Sequence, residues 1–282
     1  LDPVRIGLRH PAAIGLVGDA ATVLDGLIPL LIERSDRSFL EGAQKEMEKW
    51  HQLMEERGTR PDTPMKPQVV ARTLGKLLGS NAIVVTDSGT VTTWAAREIP
   101  IRRGQMFSCS GNLATMACGL PYALAAQVAH PDRQVVALVG DGGLSMLMAE
   151  LATAVRHELP VKVVVIKNNS LGQIKWEQIS FLGNPEFGIE LQPIDFVGVA
   201  EACGVRGLHL EDPKDCEAVL REALAHDGPA LVEAVVDPLE PPMPGHLTMH
   251  QAAKTAKALL RGQPDRGKLV KTLVHDKIHE VT

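Results

Sequence analysis

Between Pro67 and Asp237 the hydrophobic positions alternate between two rhythms. Short β-branched runs such as Val135-Val136-Ala137-Leu138-Val139 and Val163-Val164-Val165-Ile166 are apolar at every position, as in strands buried on both faces. The stretches between them have helical spacing. The pattern predicts a helix over 67–78, a strand Ala82–Thr86, then a helix containing Trp94 and Arg97. A strand Met106–Cys109 and a helix Leu113–Ala129 follow. Next come a strand Gln134–Val139, a helix over Leu144–Glu158, and a strand ending at Lys167. After a loop (Phe181–Pro193) come helix Asp195–Cys203, strand Arg206–Leu210, helix Pro213–His226 and strand Ala230–Val236. Strands alternating with helices imply an α/β fold, a doubly wound parallel sheet covered on both faces. Ligands of such sheets bind at the carboxyl ends of the strands.

The flanks follow other patterns. Residues 1–34 offer a short strand, Ile14–Val17, and an apolar helix, Ala20–Glu33. One strand and one helix cannot close a core, so this segment is expected to be the end of a domain and the chain part of a longer polypeptide. Residues 35–66 form a linker: a charged helix, Ser38 to Arg57, then a turn-rich stretch where Pro61, Pro64 and Pro67 act as breakers. The main domain is expected over 67–238 and a helical tail over 239–282. The tail opens with Pro241-Pro242-Met243-Pro244-Gly245 and a helix, Thr248–Leu260. It ends in a segment with Leu269, Val270, Leu273, Val274 and Ile278 on one face. That face suits packing on the fold or on another subunit, or a peripheral membrane contact, although it lacks the aromatic and basic residues of interfacial helices.

Composition narrows the classes. With 45% hydrophobic residues, 22% charged and a net charge of −5, the chain is globular and has no basic footprint for nucleic acid. Cys109, Cys118, Cys203 and Cys216 form no C-x-x-C pair and fit a reducing, cytoplasmic setting. No apolar run approaches the ~18 residues of a membrane span. His157, His209 and His226 lack metal-ligand spacing and are expected at the surface.

The chemistry concentrates in the turns. Gly140-Asp141-Gly142-Gly143 follows one strand and opens a helix, whose free N–H groups suit phosphate. Asp141 would repel a bare phosphate unless a divalent cation lies between them. Mg²⁺ takes oxygen ligands and combines a carboxylate with substrate phosphates. A second ligand is expected at the end of the next parallel strand, where Asn168 (168 − 141 = 27 positions on) and Asn169 stand. Asp87-Ser88-Gly89 and Ser110-Gly111-Asn112 fall at strand ends too.

This constellation resembles the thiamine diphosphate (ThDP) motif, G-D-G followed by about 25 residues and a metal-binding Asn. The resemblance is to the pyruvate oxidase and acetolactate synthase family and extends over nearly the whole chain. Asp2-Pro3, Ile6-Gly7 and Val17-Gly18-Asp19 resemble the end of that family's middle domain. Thr86-Asp87 with Gly89-Thr90, and Trp94-Ala95-Ala96-Arg97, resemble its T-D-x-G-T and W-A-A-R segments. A gapless comparison with the I-K-x-E-Q of pyruvate oxidases, here Ile174-Lys175-Trp176-Glu177-Gln178, favours Asn168 over Asn169. Lys167 then replaces the usual leading Asn.

The resemblance implies the following site. Asp141, Asn168 and the carbonyl of Ser170 would ligate Mg²⁺. ThDP would be bound by Asp87, Ser88, Gly89, Ala114, Thr115, Met116, Gly140, Asp141, Gly142, Gly143, Asn168, Asn169, Ser170, Leu171, Gly172, Gln173 and Ile174. Met116 would be the residue that bends the cofactor, and Ala114 stands where the family has Gly. Glu177 matches a catalytic glutamate over the substrate side, whereas Gln173 replaces an aromatic residue near the flavin. The implied activity is decarboxylation of a 2-keto acid such as pyruvate, in a homo-oligomer (dimer or tetramer). FAD, where the family uses it, would be held by residues before Leu1. The pyrimidine-binding domain that supplies the activating glutamate lies there too, so the 282-residue chain alone is expected to be inactive. An acetolactate synthase-like carboligase and a non-catalytic cofactor-binding module are the alternatives. A dinucleotide-binding oxidoreductase is disfavoured, because no G-x-G-x-x-G follows a strand.

Overall fold

The computed structural model describes residues 2–242 and 248–281, with side chains as far as Val274. The chain divides into two compact units, Leu1–Trp50 and His51–Thr282. The first holds helix α1 (Ala20–Leu27) and the start of α2 (Ser38–Gly58), and no residue of α1 is buried. The strand expected at Ile14–Val17 does not form: these residues are irregular and exposed. A strand needs a neighbour for its N–H and C=O groups, and the described residues of this unit contain no other strand. Helix α1 is also shorter than expected, because Pro29 tightens its exit into a single 3₁₀ turn, Ile28–Leu30.

The second unit is the parallel sheet. In chain order it comprises α3 (Pro67–Leu77), β1 (Ile83–Thr86), α4 (Thr90–Glu98), β2 (Met106–Ser108), α5 (Gly119–Ala129) and β3 (Val135–Gly140). Then come α6 (Asp141–Leu147), α7 (Glu150–Arg156), β4 (Lys162–Lys167), α8 (Gly172–Glu177) and α9 (Phe196–Ala202). Last are β5 (Arg206–Leu210), α10 (Cys216–Ala225), β6 (Ala230–Val235), α11 (Met249–Leu260) and α12 (Arg266–Val281). All pairings are parallel, in the order β2-β1-β3-β4-β6-β5.

Period-two side-chain alternation divides the core in two. Val84, Val136, Leu138, Val164, Ile166 and Val232 face α3, α4 and α10, where they meet Leu74, Trp94 and Leu220. Ile83, Val85, Val135, Ala137, Val163 and Val165 face the opposite layer and meet Leu124, Leu151, Phe196 and Ala200. Chain moves from β1 to β2 and from β5 to β6 use α4 and α10 on one face. Moves in the other direction use α5, α7 and α9 on the opposite face, as right-handed crossovers require. The strand order reverses between β1 and β3, which opens a crevice there at the strands' carboxyl ends.

Several boundaries differ from the periodicity. The helix expected over Leu113–Ala129 starts only at Gly119, because Ala114 (φ 47°) and Ala117 (φ 70°) are left-handed. The helix after β3 begins at Asp141 itself and breaks between Leu147 and Glu150. The tail's apolar face also divides. Leu269 is buried with Trp176, Ile179 and Ala258, and Leu273 packs beside them, while Val270 and Val274 stay exposed. The side chain of Ile278, like residues Met243–Gly245, lies outside the described residues. Among those described, no helix is long and apolar enough to cross a membrane.

Candidate cofactor site

The crevice between β1 and β3 holds a cleft of about 490 Å³, open mouth included. Asp87, Ser88 and Gly89 reach it from β1, Gly140–Gly143 from β3, and Asn168, Ser170, Leu171 and Gly172 from β4. Met116 closes one side, and Gln173 and Ile174 of α8 another. Val91 and Ile166 also line it and had no motif, whereas Thr90, which lines it too, closes the T-D-x-G-T segment. Ala114, Thr115, Asn169 and Glu177 are not among the wall residues. Ala114 and Thr115 are exposed, and Glu177 is exposed one turn beyond the wall, where it accepts a hydrogen bond from Gln173 Nε2 (2.9 Å).

Asp141 organises the far wall. Its Oδ2 accepts the backbone N–H of Asn168 (2.9 Å) and of Asn169 (2.6 Å), and its Oδ1 accepts that of Gly142 (2.8 Å). One carboxylate therefore joins the ends of β3 and β4. Burial pushes the Asp141 carboxyl above its ordinary value, against those three N–H groups, which favour the charged form. A cation at this point would offset the cost of burial. Asn168 Oδ1 accepts the Ser170 N–H (3.0 Å), while Ser170 Oγ is buried without a hydrogen-bond partner.

Asn169 is left-handed (φ 53°), a conformation asparagine tolerates. Its carbonyl accepts the Leu191 N–H (3.0 Å), and the Ile189 carbonyl accepts the Leu171 N–H (2.8 Å). The segment 189–191 thus braces the turn from outside, a support with no sequence signal of its own. Asn168 faces the cleft and Asn169 the brace. Lys167 is turned away as well: its ammonium meets Glu233 (2.9 Å) and the Ile194 carbonyl (2.6 Å).

Glycine is required where the walls approach most closely. A Cβ on Gly142 would stand 3.1 Å from Leu171 and Leu191 and 3.3 Å from Met116. The donors converging here (carboxylate, amide, hydroxyl and carbonyl) are all oxygen, which suits Mg²⁺. Among the described residues, no cluster of three His, Cys, Asp or Glu offers another metal site.

Comparison with known proteins identifies the family. Residues 87–234 match the family described as thiamine pyrophosphate enzyme, C-terminal TPP binding domain. The chain is 39% identical over 260 residues to YdaP of Bacillus subtilis (strain 168), named a thiamine pyrophosphate-containing protein; this covers 92% of the chain and 45% of that protein. It is 36% identical to acetolactate synthase isozyme 3 large subunit of Escherichia coli (strain K12), covering 79% of the chain and 40% of that subunit. It is 30% identical to the pyruvate oxidase of Lactiplantibacillus plantarum (strain ATCC BAA-793 / NCIMB 8826 / WCFS1), covering 84% of the chain and 40% of that protein. The chain spans less than half the length of each of these relatives. It belongs to the thiamine pyrophosphate enzymes, and the doubly wound sheet carries the family's C-terminal TPP-binding domain.

Proposed function

We propose that this chain is the ThDP- and Mg²⁺-binding part of an enzyme that decarboxylates a 2-keto acid, with pyruvate as the substrate. The observation that carries this reading is Asp141. Its buried carboxylate joins two strand ends beside an asparagine amide and an unpartnered serine hydroxyl, an oxygen-donor set that suits a divalent cation.

In this reading Asp141 Oδ1, the Asn168 side chain and the Ser170 carbonyl hold the ion. The N–H groups at the start of α6 face the diphosphate, which Gly142 allows to approach. Met116 packs its polarizable thioether on the cofactor's rings. ThDP, when bound, supplies the thiazolium that takes up the electron pair released on decarboxylation. Gln173 and Ile174 border the substrate side, and Glu177, held by Gln173, is the candidate proton-exchanging group. Homo-oligomer formation fits the exposed Leu113 and Phe187.

The finer reading is pyruvate oxidase-like, supported by Glu177 and the W-A-A-R segment. FAD would then be held outside these residues. An acetolactate synthase-like carboligase is the second reading, supported by the higher identity to such a subunit. The test is to give the intact polypeptide pyruvate, ThDP and Mg²⁺ and measure both acetolactate and reduction of an artificial electron acceptor. Acceptor reduction without acetolactate supports the oxidase reading, and acetolactate alone overturns it. Absence of Mg²⁺-dependent ThDP binding would overturn both.

A further inference from the structure

The Met116 wall contains an unusual turn. Ala114 (φ 47°) and Ala117 (φ 70°) both hold left-handed backbone, which is unfavourable for a residue with a Cβ and persists only when the surroundings impose it. Part of that support is local: Ser110 Oγ accepts the Thr115 N–H (3.1 Å). The rest comes from Asp87, at the end of β1. Its Oδ1 accepts the Gly119 N–H (3.3 Å), and the N–H groups of Ala117 and Cys118 bear on the same carboxylate. Asp87 is itself fixed: its N–H donates to the Leu138 carbonyl (3.3 Å), and its carbonyl accepts the Thr92 hydroxyl.

The other oxygen, Oδ2, is buried without a hydrogen-bond partner and occupies the space that a Cβ on Gly143 would fill. Gly143 therefore admits the carboxylate between α6 and the turn. Asp87 is 1% exposed, and burial pushes its carboxyl above the ordinary value.

We propose that Asp87 is a positioning residue that acts on the cofactor through Met116, by holding the 117–119 amides, and that Gly143 is glycine to make room for it. A carboxylate aimed at the diphosphate would repel it, whereas this one is engaged with the turn. The inference rests on the cofactor reading above.

The test uses the intact polypeptide. Calorimetry with ThDP and Mg²⁺ is run on the wild type, Asp87→Asn, Met116→Ala and the double variant, and amide exchange is followed at residues 117–119. Asp87→Asn should weaken ThDP binding about tenfold or more and speed exchange at 117–119, leaving exchange at residues 168 and 169 unchanged. In the Met116→Ala background the same substitution should add less than about twofold, because coupled residues are not additive. Gly143→Ala should lower the melting temperature, and do so less once Asp87 is replaced by Ala. Unchanged exchange and affinity in Asp87→Asn, or effects that multiply in the double variant, would overturn the inference. A wild-type intact polypeptide that binds no ThDP overturns the cofactor reading and this inference with it. The wild-type titration alone reveals that case.

Discussion

Asp141 and Asp87 stand at the ends of neighbouring strands in one cleft, and each gathers backbone N–H groups from a nearby turn. Both are buried, and burial raises both carboxyls. Their second oxygens differ. Asp141 shares its carboxylate among three N–H groups at the ends of β3 and β4, beside the oxygen donors of Asn168 and Ser170. Asp87 leaves Oδ2 unpartnered against Gly143. In the proposed reading the same device would serve a charged ligand at Asp141 and side-chain placement at Asp87. A buried carboxylate is tolerable when backbone amides or a cation share its charge.

Removing the better-connected aspartate should have the largest effect. Asp141→Ala is expected to abolish Mg²⁺-dependent ThDP binding, a loss of more than about 100-fold, with far-UV circular dichroism unchanged. Calorimetry that finds wild-type affinity in this variant would disprove the metal assignment.

Glu98, on α4 outside the cleft, is a buried carboxylate without such a set of amides, and its Oε2 has no hydrogen-bond partner. Burial pushes its carboxyl from 4.5 up to about 7, against the opposing pull of Arg72, Arg57 and Arg97. The folded state holds this proton more tightly than the unfolded chain does. Its contribution to stability is therefore intact below pH 4.5 and is lost as pH rises through 7. The loss is on the order of 3 kcal/mol. Glu98→Gln should flatten this slope in urea melts between pH 5 and 8, and a slope equal to the wild type's would exclude Glu98 as its source.

The asparagine pair sharpens the comparison within the Asp141 wall. Asn168→Ala should weaken ThDP affinity about tenfold or more. Asn169→Gly, which keeps the left-handed backbone, should change it only a few-fold. A larger effect at Asn169 would move the metal ligand by one residue.

The smallest structural effect belongs to Glu177. Exposed and bonded only to Gln173 among the described contacts, it should tolerate Gln with less than about 0.5 kcal/mol change in stability and unchanged ThDP affinity. Turnover of the intact enzyme should nevertheless fall by about 10²-fold or more. A variant with full turnover would exclude Glu177 from the chemistry.

By itself the sequence determined the sheet, the two buried faces of its central strands β1, β3, β4 and β6, and the spacing that brings Asp141 and Asn168 to adjacent strand ends. These depend on short-range periodicity and on side-chain type, which are legible residue by residue. It also pointed to Met116, through a resemblance rather than a spacing. Only the tertiary structure decided that the Leu113–Cys118 stretch is a turn with left-handed Ala114 and Ala117 instead of a helix, since the Asp87 carboxylate that accepts the Gly119 N–H lies at the end of β1. The same holds for the brace at 189–191, for Leu269 turning inward, and for Ile14–Val17 remaining irregular. In each case the outcome depends on a partner, or the lack of one, far away in the chain. Local propensity cannot register hydrogen bonds and packing that form only after the strands have come together.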